Sequence, residues 1–518
     1  MGTVGRRAFL GLGAAGVAGA AVAAVELWSD TGLAGHALGT RTGAARPRMA
    51  SRKVTEASLP GDPDWAITQL GDEHAIEGYT GLASVAPGEP FPLYVSTTAR
   101  SFKVSAFRMG WYRGAGARKV WQSGPIRGNQ QAAPSLAAGI STISAGWGPA
   151  TQLRADDWPP GSYLLRLDAE TGAQRYVPIT VRSPSTAGTV AIRNCVATWQ
   201  AYNTWGGYDL YKGPGEDYAS RSLAVSLDRP YDLNGAAMFL TYERNIVKLA
   251  EHTGVPLSYV TSHDIAGSAA LLNGASALIS PGHDEYWSPP ERAHVTAARD
   301  AGMNIAFLGA NAMFRRTRLD GQLVVCYKSS YPADPMYRID NARVTSDWRD
   351  APDPLPESSV TGTIYEGYPV DASYMVTAAD SWPFKNTGIH NDTGFAHLVG
   401  VEYDRVNPAY PVPRPIQVLA HSPLTCQGAA SYADTAYYTH VGGAGVFNTG
   451  TMRWVEAIYG DQPHGIGSAT AVFVRQVTRN VLHAFADGPA ADRYPANDNL
   501  DAMHEYAGDP VGSPGNLQ

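Results

Sequence analysis

A chain of 518 residues is too long for one ordinary hydrophobic core, so at least two folded units are expected. Its apolar content of 44%, with many glycines and prolines, suits a globular protein with frequent turns and excludes a coiled coil or a disordered chain. A formal net charge of −7 provides no basic face for nucleic acid, and three cysteines are too few for a disulfide framework or a thiolate metal cluster.

Residues 1–30 read as a twin-arginine export signal. Arg6-Arg7 precede Ala8-Phe9-Leu10 and a mildly apolar Ala/Gly/Val stretch, and Ala21-Val22-Ala23 offers small residues for cleavage. The stretch is short and weakly apolar for a spanning helix, and no later segment is long and apolar enough to span. The mature chain is therefore expected to have no membrane span and to reside outside the cell or at its surface. Residues 31–58 read as a linker rich in Gly, Ala, Arg and Thr.

From 59 to 184 the texture is that of short strands. Residues 101–106 and 177–181 alternate polar and apolar side chains, as half-buried strands do. Turn signals such as Ala86-Pro87-Gly88 and Pro159-Pro160-Gly161 punctuate them, and the pattern predicts an immunoglobulin-like β-sandwich. From 185 to 490 strands alternate with helices, which predicts an α/β domain with a parallel sheet covered on both faces. Strands are expected at 190–192, 257–261, 277–280, 304–308 and 445–448, and helices at 239–252, 288–301 and 469–486. A stretch of β structure and loops fills 328–438, and 491–518 reads as a tail. The fold class is thus multidomain, β plus α/β.

Ile279-Ser280-Pro281-Gly282-His283-Asp284-Glu285 runs from a buried strand into a tight turn. Ser288-Pro289-Pro290-Glu291 then opens a helix, with a capping residue, a proline in the first turn and a carboxylate at the third position. The turn therefore lies at the carboxyl end of a parallel strand, the edge at which open α/β sheets bind ligands. His283 and Glu285 are expected to point the same way, and Asn311, after the next strand, to join them. A glutamate at such a turn also serves simply to cap a neighbouring helix, and an asparagine after glycine to make a turn. Trp199 to Tyr211 is an aromatic run that follows the first strand of the domain and overhangs the same edge. Tyrosines so dense serve equally as core or as sugar-stacking residues. No Gly-x-Ser-x-Gly elbow or Gly-rich nucleotide loop stands in the right context, and Cys195 ends a strand with no helix expected after it, which argues against a cysteine nucleophile.

Several of these stretches, in order, resemble the large (beta) subunit family of N,N-dimethylformamidase. They are Trp199 to Tyr211, Ser226-Leu227-Asp228-Arg229-Pro230-Tyr231, Gly282 to Ser288, Gly309-Ala310-Asn311, Leu398 to Arg405 and Val446 to Gly450. The segment Arg108-Met109-Gly110-Trp111-Tyr112 looks like that of exported members of the actinobacterial type. The α/β unit also resembles glutamine-amidotransferase-like (flavodoxin-like) folds. The family resemblance implies a mononuclear Fe(III) held by two tyrosines and one glutamate. Carried over by motif, the glutamate is Glu285 and the tyrosines are Tyr202 and Tyr211, although Tyr208 and Tyr218 are nearby and spacing does not choose among them. Phenolates and a carboxylate are hard anionic donors that suit Fe(III). His283 and Asn311 are then expected to orient water or stabilise an oxyanion. Glu402 is expected to carry a proton, or alternatively to pair with Arg405 or another arginine. Two functions follow: a metal-dependent hydrolase of a small amide or related C–N bond, or a non-catalytic exported protein that binds a glycan or cell-surface ligand.

Overall fold

The computed structural model describes residues 55–460 and 464–503. The expected export signal and all but the last few residues of the expected linker lie outside these. Among the described residues the protein is rich in β-structure, with few helices, and no helix is long and apolar enough to cross a membrane.

The first sheets are built from β1 (Ile76–Tyr79), β2 (Ser84–Val85), β3 (Pro90–Thr97), β4 (Ser101–Met109), β5 (Ala117–Gln122), β6 (Thr151–Arg154), β7 (Gly161–Ala169) and β8 (Gln174–Val181). One sheet runs β1-β3-β6 and the other β2-β8-β7-β4-β5. Phe91 and Val95 from the first share a core with Phe102, Val104, Leu165 and Val177 from the second. The alternation read in β4 holds as far as Val104; Ser105 is already buried, and the register against β5 shifts after Ala106. Beyond it Phe107 and Met109, with Leu164 and Tyr176, join the core of the following unit. The end of the outer face that carries Phe107 and Met109 is therefore buried, while Lys103 and Lys119 on that face remain exposed. Polar ties cross the same boundary. Arg108 pairs with Glu251 at 2.6 Å, and Ser162 and Thr180 each donate to Asn194 Oδ1 at 2.9 Å. A cleft of about 1190 Å³ opens beside the Arg108–Glu251 pair, lined also by Trp111, His252 and Pro256.

The second unit is organised by a seven-stranded sheet. Its strands are β9 (Val190–Asn194), β10 (Leu257–Thr261), β11 (Ala277–His283), β12 (Asn304–Ala310), β15 (Ile416–Cys426), β16 (Ala429–Thr439) and β17 (Gly445–Asn448), and β13 (Ile364–Met375) pairs with β14 (Gly394–Arg405) as a separate hairpin. The spatial order is β10-β9-β11-β12-β17-β16-β15. The first five in that order are mutually parallel, and β16 and β15 extend the sheet antiparallel. Because β9 lies between β10 and β11, the connections leaving β9 and β11 diverge, and a crevice forms at their carboxyl ends.

The helices differ from expectation in two places. Residues 239–252 are not one helix but two, α2 (Ala237–Tyr242) and α3 (Arg244–Thr253). The break is at Glu243, whose carboxylate turns inward to accept from Asn194 Nδ2 at 2.6 Å, Cys195 N at 3.0 Å and Trp199 Nε1 at 2.6 Å. Three buried donors outweigh the continuity of a helix that apolar spacing alone would favour. Second, a helix does follow Cys195: α1 (Val196–Ala201) is short, wholly buried and lacks a polar face, so no amphipathic period marks it in the sequence. The expected helix after Trp287 is α4 (Pro289–Asp300), and Glu291 accepts from Ser288 N at 3.4 Å as the capping pattern requires. Its stronger partner is Arg193, which lies fully buried between Asp284 and Glu291. The last helix, α5 (Ser468–Ala486), packs its apolar residues into the main core. Asp498 and Asn499 bond to the backbone of Ile416 and Val418, covering the free edge of β15.

Candidate metal centre

Three connections meet at the carboxyl edge of the sheet. After β9, α1 leads to Tyr202, and the chain doubles back to Tyr211, whose N–H is fixed by Asp209 at 2.7 Å. Near the end of β11, Gly282 takes a φ of +49° and lies so close to Tyr242 that a Cβ would sit 2.4 Å from its carbonyl oxygen. Only glycine permits that turn, which brings His283 and Glu285 to the edge. After β12, Asn311 also adopts a left-handed φ, +61°, held by its N–H on Asp404 Oδ1 at 2.7 Å.

The oxygens of Tyr202, Tyr211 and Glu285 converge. Tyr202 Oη donates to Glu285 Oε2 at 2.6 Å, Tyr211 Oη donates to Glu285 Oε1 at 2.6 Å, and the two hydroxyls are 3.0 Å apart. His283 Nε2 lies 3.4 Å from the Tyr202 hydroxyl, 3.3 Å from Glu285 Oε2 and 3.9 Å from Glu402 Oε2. Glu402 Oε2 accepts from Asn311 Nδ2 at 2.6 Å. All six side chains named from the sequence therefore meet in one place. Tyr202, His283, Glu285, Asn311 and Glu402 are each at most 5% exposed, and Tyr211 is partly exposed at the rim. Tyr208 and Tyr218 lie elsewhere: Tyr208 packs against the cluster that holds Tyr79, Ile143, Trp147 and Trp205, and the Tyr218 hydroxyl meets Ser329 at 3.1 Å. Arg405 pairs with Glu366 at 3.3 Å, not with Glu402.

The structure adds residues that motif reading missed. Tyr286 Oη donates to Tyr211 Oη at 2.9 Å. Arg315 Nε lies 3.2 Å from Glu285 Oε1, and its other end pairs with Asp347. Lys328, buried with φ +55°, donates to Leu210 O at 2.7 Å and sets Nζ 3.1 Å from the centre of the Tyr211 ring. Tyr286 was adjacent to Glu285 in the motif and so discoverable. Arg315 and Lys328 reach the site only through the fold.

Burial disfavours the Arg315 charge, but Asp347, Tyr211 and Glu285 outweigh it and hold the guanidinium firmly protonated. Burial, then the charges of Glu285 and Tyr211, push the Tyr286 phenol far above its usual range, so it stays a neutral donor. Burial also lifts Asp404 to about 7, despite its bonds from Asn311 N and Thr363. Cys195 stands at a strand-to-helix junction yet is no nucleophile: its thiol is fully buried, and burial with Asp284 and Glu243 raises it well above the usual range.

Among the described residues no group of three or more His, Cys, Asp and Glu side chains is arranged to hold a metal. The set here is of another kind, one carboxylate and two phenols. A small hard cation with bonds of about 2.0 Å at right angles separates its donor atoms by roughly 2.8 Å. The observed separations of 2.6, 2.6 and 3.0 Å fit that spacing. Asn311 Oδ1 is buried without a hydrogen-bond partner, an acceptor left open beside Glu402.

The oxygen-rich donor set is buried in the crevice of an open α/β sheet, the edge at which such sheets commonly bind small ligands. The family model described as N,N-dimethylformamidase beta subunit-like, C-terminal, matches residues 103–465, and the chain belongs to that family. No curated protein matches the sequence. A Paenibacillus cycloisomaltooligosaccharide glucanotransferase, solved with cycloisomaltoheptaose, is similar over 24% of this chain at 14% identity and a TM-score of 0.14, too slight a likeness to carry an argument. The chain spans 17% of that enzyme's length.

Proposed function

We propose that this protein is an exported hydrolase of small amides or related C–N bonds that uses one Fe(III) held by Tyr202, Tyr211 and Glu285. The observation that carries the reading is the convergence of these oxygens at the spacing of adjacent ligands on a small cation. The strand order of the parallel sheet supports a flavodoxin-like, glutamine-amidotransferase-type domain, and the two sheets before it an immunoglobulin-like sandwich. We place the domain boundary near residue 185, before β9.

When bound, the ion supplies Lewis acidity toward an amide carbonyl and lowers the pKa of a water. The chain's own groups do the rest. Asn311 holds Glu402 by its Nδ2 and offers Oδ1 to a donor, so a water placed there is gripped by an acceptor and faces a base. Glu402 takes the proton from that water and returns it to the departing nitrogen. His283, between Glu285 and Glu402, hands protons between the two sides of the site and stabilises charge that develops on the carbonyl oxygen. Arg315 and Lys328 offset the anionic charge of the donor set. Near-complete burial keeps bulk water from competing.

The test is metal analysis and absorption of protein made in iron-replete cells, followed by hydrolysis assays on a panel of formamides and acetamides. About one iron per chain, visible colour from tyrosinate charge transfer, and turnover of at least one amide are expected. Colourless, metal-free protein refutes the ferric site. Coloured protein that hydrolyses no member of the panel favours the binding-protein reading.

A further inference from the structure

Asn311 is gripped at two points by one strand. Its N–H donates to Asp404 Oδ1 at 2.7 Å, and its Nδ2 donates to Glu402 Oε2 at 2.6 Å. Glu402 and Asp404 are two apart in β14, so both side chains leave the same face of that strand. Asp404 is itself tied down. Its N–H donates to Gly450 O at 3.0 Å, and its Oδ2 accepts from Thr363 Oγ1 at 3.1 Å. Thr363 Oγ1 accepts in turn from Asn448 Nδ2 at 2.7 Å, at the end of β17. The turn that this network supports has little local preference of its own. Asn311 and Met313 both take left-handed φ, +61° and +56°, without being glycine. Asn311, Glu402 and Asp404 are each at most 2% exposed, so bulk water does not stand in for a lost partner.

We infer, resting on the hydrolase reading above, that Asp404 is a positioning residue for the reaction. It locks the main chain of Asn311, so that the Asn311 amide holds Glu402 in the orientation that takes a proton from water. β14 thereby carries both the base and the group that aligns it. The role requires an acceptor oxygen at Oδ1 rather than a charge. Small misplacements of a catalytic group are costly, which is why a residue that acts only through another has a large effect on rate.

The test measures kcat and KM of Asp404→Ala, Asp404→Asn, Asn311→Gly and the double variant Asn311→Gly/Asp404→Ala on the best amide. Asp404→Ala should lower kcat by about tenfold to a hundredfold with KM little changed. Asparagine at 404 still offers an oxygen to the Asn311 N–H, so Asp404→Asn should restore kcat to within about threefold of the parent. Glycine at 311 suits the left-handed turn but has no amide to align, so adding Asp404→Ala to it should cost no more than about twofold. A further loss in the double variant as large as in the parent overturns the inference, as does parental kcat in Asp404→Ala. If Asp404→Ala does not fold, Asp404→Asn decides, and a tenfold or larger drop in its kcat overturns the role by about the measure of one lost hydrogen bond. A parent that hydrolyses no amide refutes the hydrolase reading separately. The grip on Asn311 is then read by hydrogen exchange of a peptide spanning 308–314. Asp404→Ala should speed exchange of one amide there by roughly tenfold and Asp404→Asn should not, whereas unchanged exchange in Asp404→Ala overturns the grip itself.

Discussion

Replacing Glu285 by glutamine separates a ligand from a structural acceptor. The carboxylate is fully buried and accepts from Tyr202, Tyr211 and Arg315 at 2.6, 2.6 and 3.2 Å. Glutamine keeps the shape but supplies one acceptor oxygen and one donor nitrogen, so one phenol loses its acceptor. Arg315 retains Asp347 and is not left alone. The metal-free protein should therefore lose only about 1–3 kcal/mol, the cost of one unsatisfied buried group. The effect on iron should be far larger. One of three anionic donors is removed, and even a lost partner outside the ligand set costs roughly tenfold to a hundredfold in affinity. Iron content should fall below about a tenth of the parent's. Iron should also raise the parent's melting temperature and leave that of Glu285→Gln unmoved, because only a ligand that binds the folded state stabilises it. The assay is metal analysis with thermal unfolding, with and without added iron. Full iron occupancy with an unchanged band in Glu285→Gln would falsify the ligand assignment, whatever happened to activity.

Asn311→Ala and Glu402→Gln should keep most of the iron yet lose activity by roughly tenfold to a thousandfold, measured as kcat/KM on the best amide; normal turnover by either removes its assigned role. Arg193→Met leaves Asp284 and Glu291 buried without their cation and should cost about 3–5 kcal/mol in denaturant unfolding, whereas a loss below about 1 kcal/mol would show that the carboxylates are otherwise satisfied. Burial raises Glu243 to about 7 in the folded state. The folded protein thus holds this proton where the unfolded chain has lost it, so the contribution is present below about pH 4 and is lost as pH rises through 7, by up to about 3 kcal/mol. Unfolding of the parent minus that of Glu243→Gln, followed from pH 4 to 8, should fall by an amount of that order, and a flat difference counts against it. Exchanging Arg6 and Arg7 for lysine in a reporter fusion should block export; continued export removes the twin-arginine reading.

The order of elements was largely legible in the sequence because local physics writes it there. Period-two alternation marks β4 up to Ala106, and Ser288-Pro289-Pro290-Glu291 announces α4 through the chemistry of a helix start. The carboxyl-edge position of Glu285 followed from a buried strand running into that turn. Other features carry no local signal. α1 is buried all round and has no period to read, and Glu243 breaks a helix for donors on other segments. Spacing could not choose among four tyrosines between 202 and 218, because the choice depends on how far the chain doubles back after α1. The tertiary fold sets Tyr202 and Tyr211, and not Tyr208 or Tyr218, against Glu285. It also brought Arg315 and Lys328 to that cluster from beyond β12. Which long-range groups share a low-dielectric site is set by packing of whole elements, and no window of sequence contains that information.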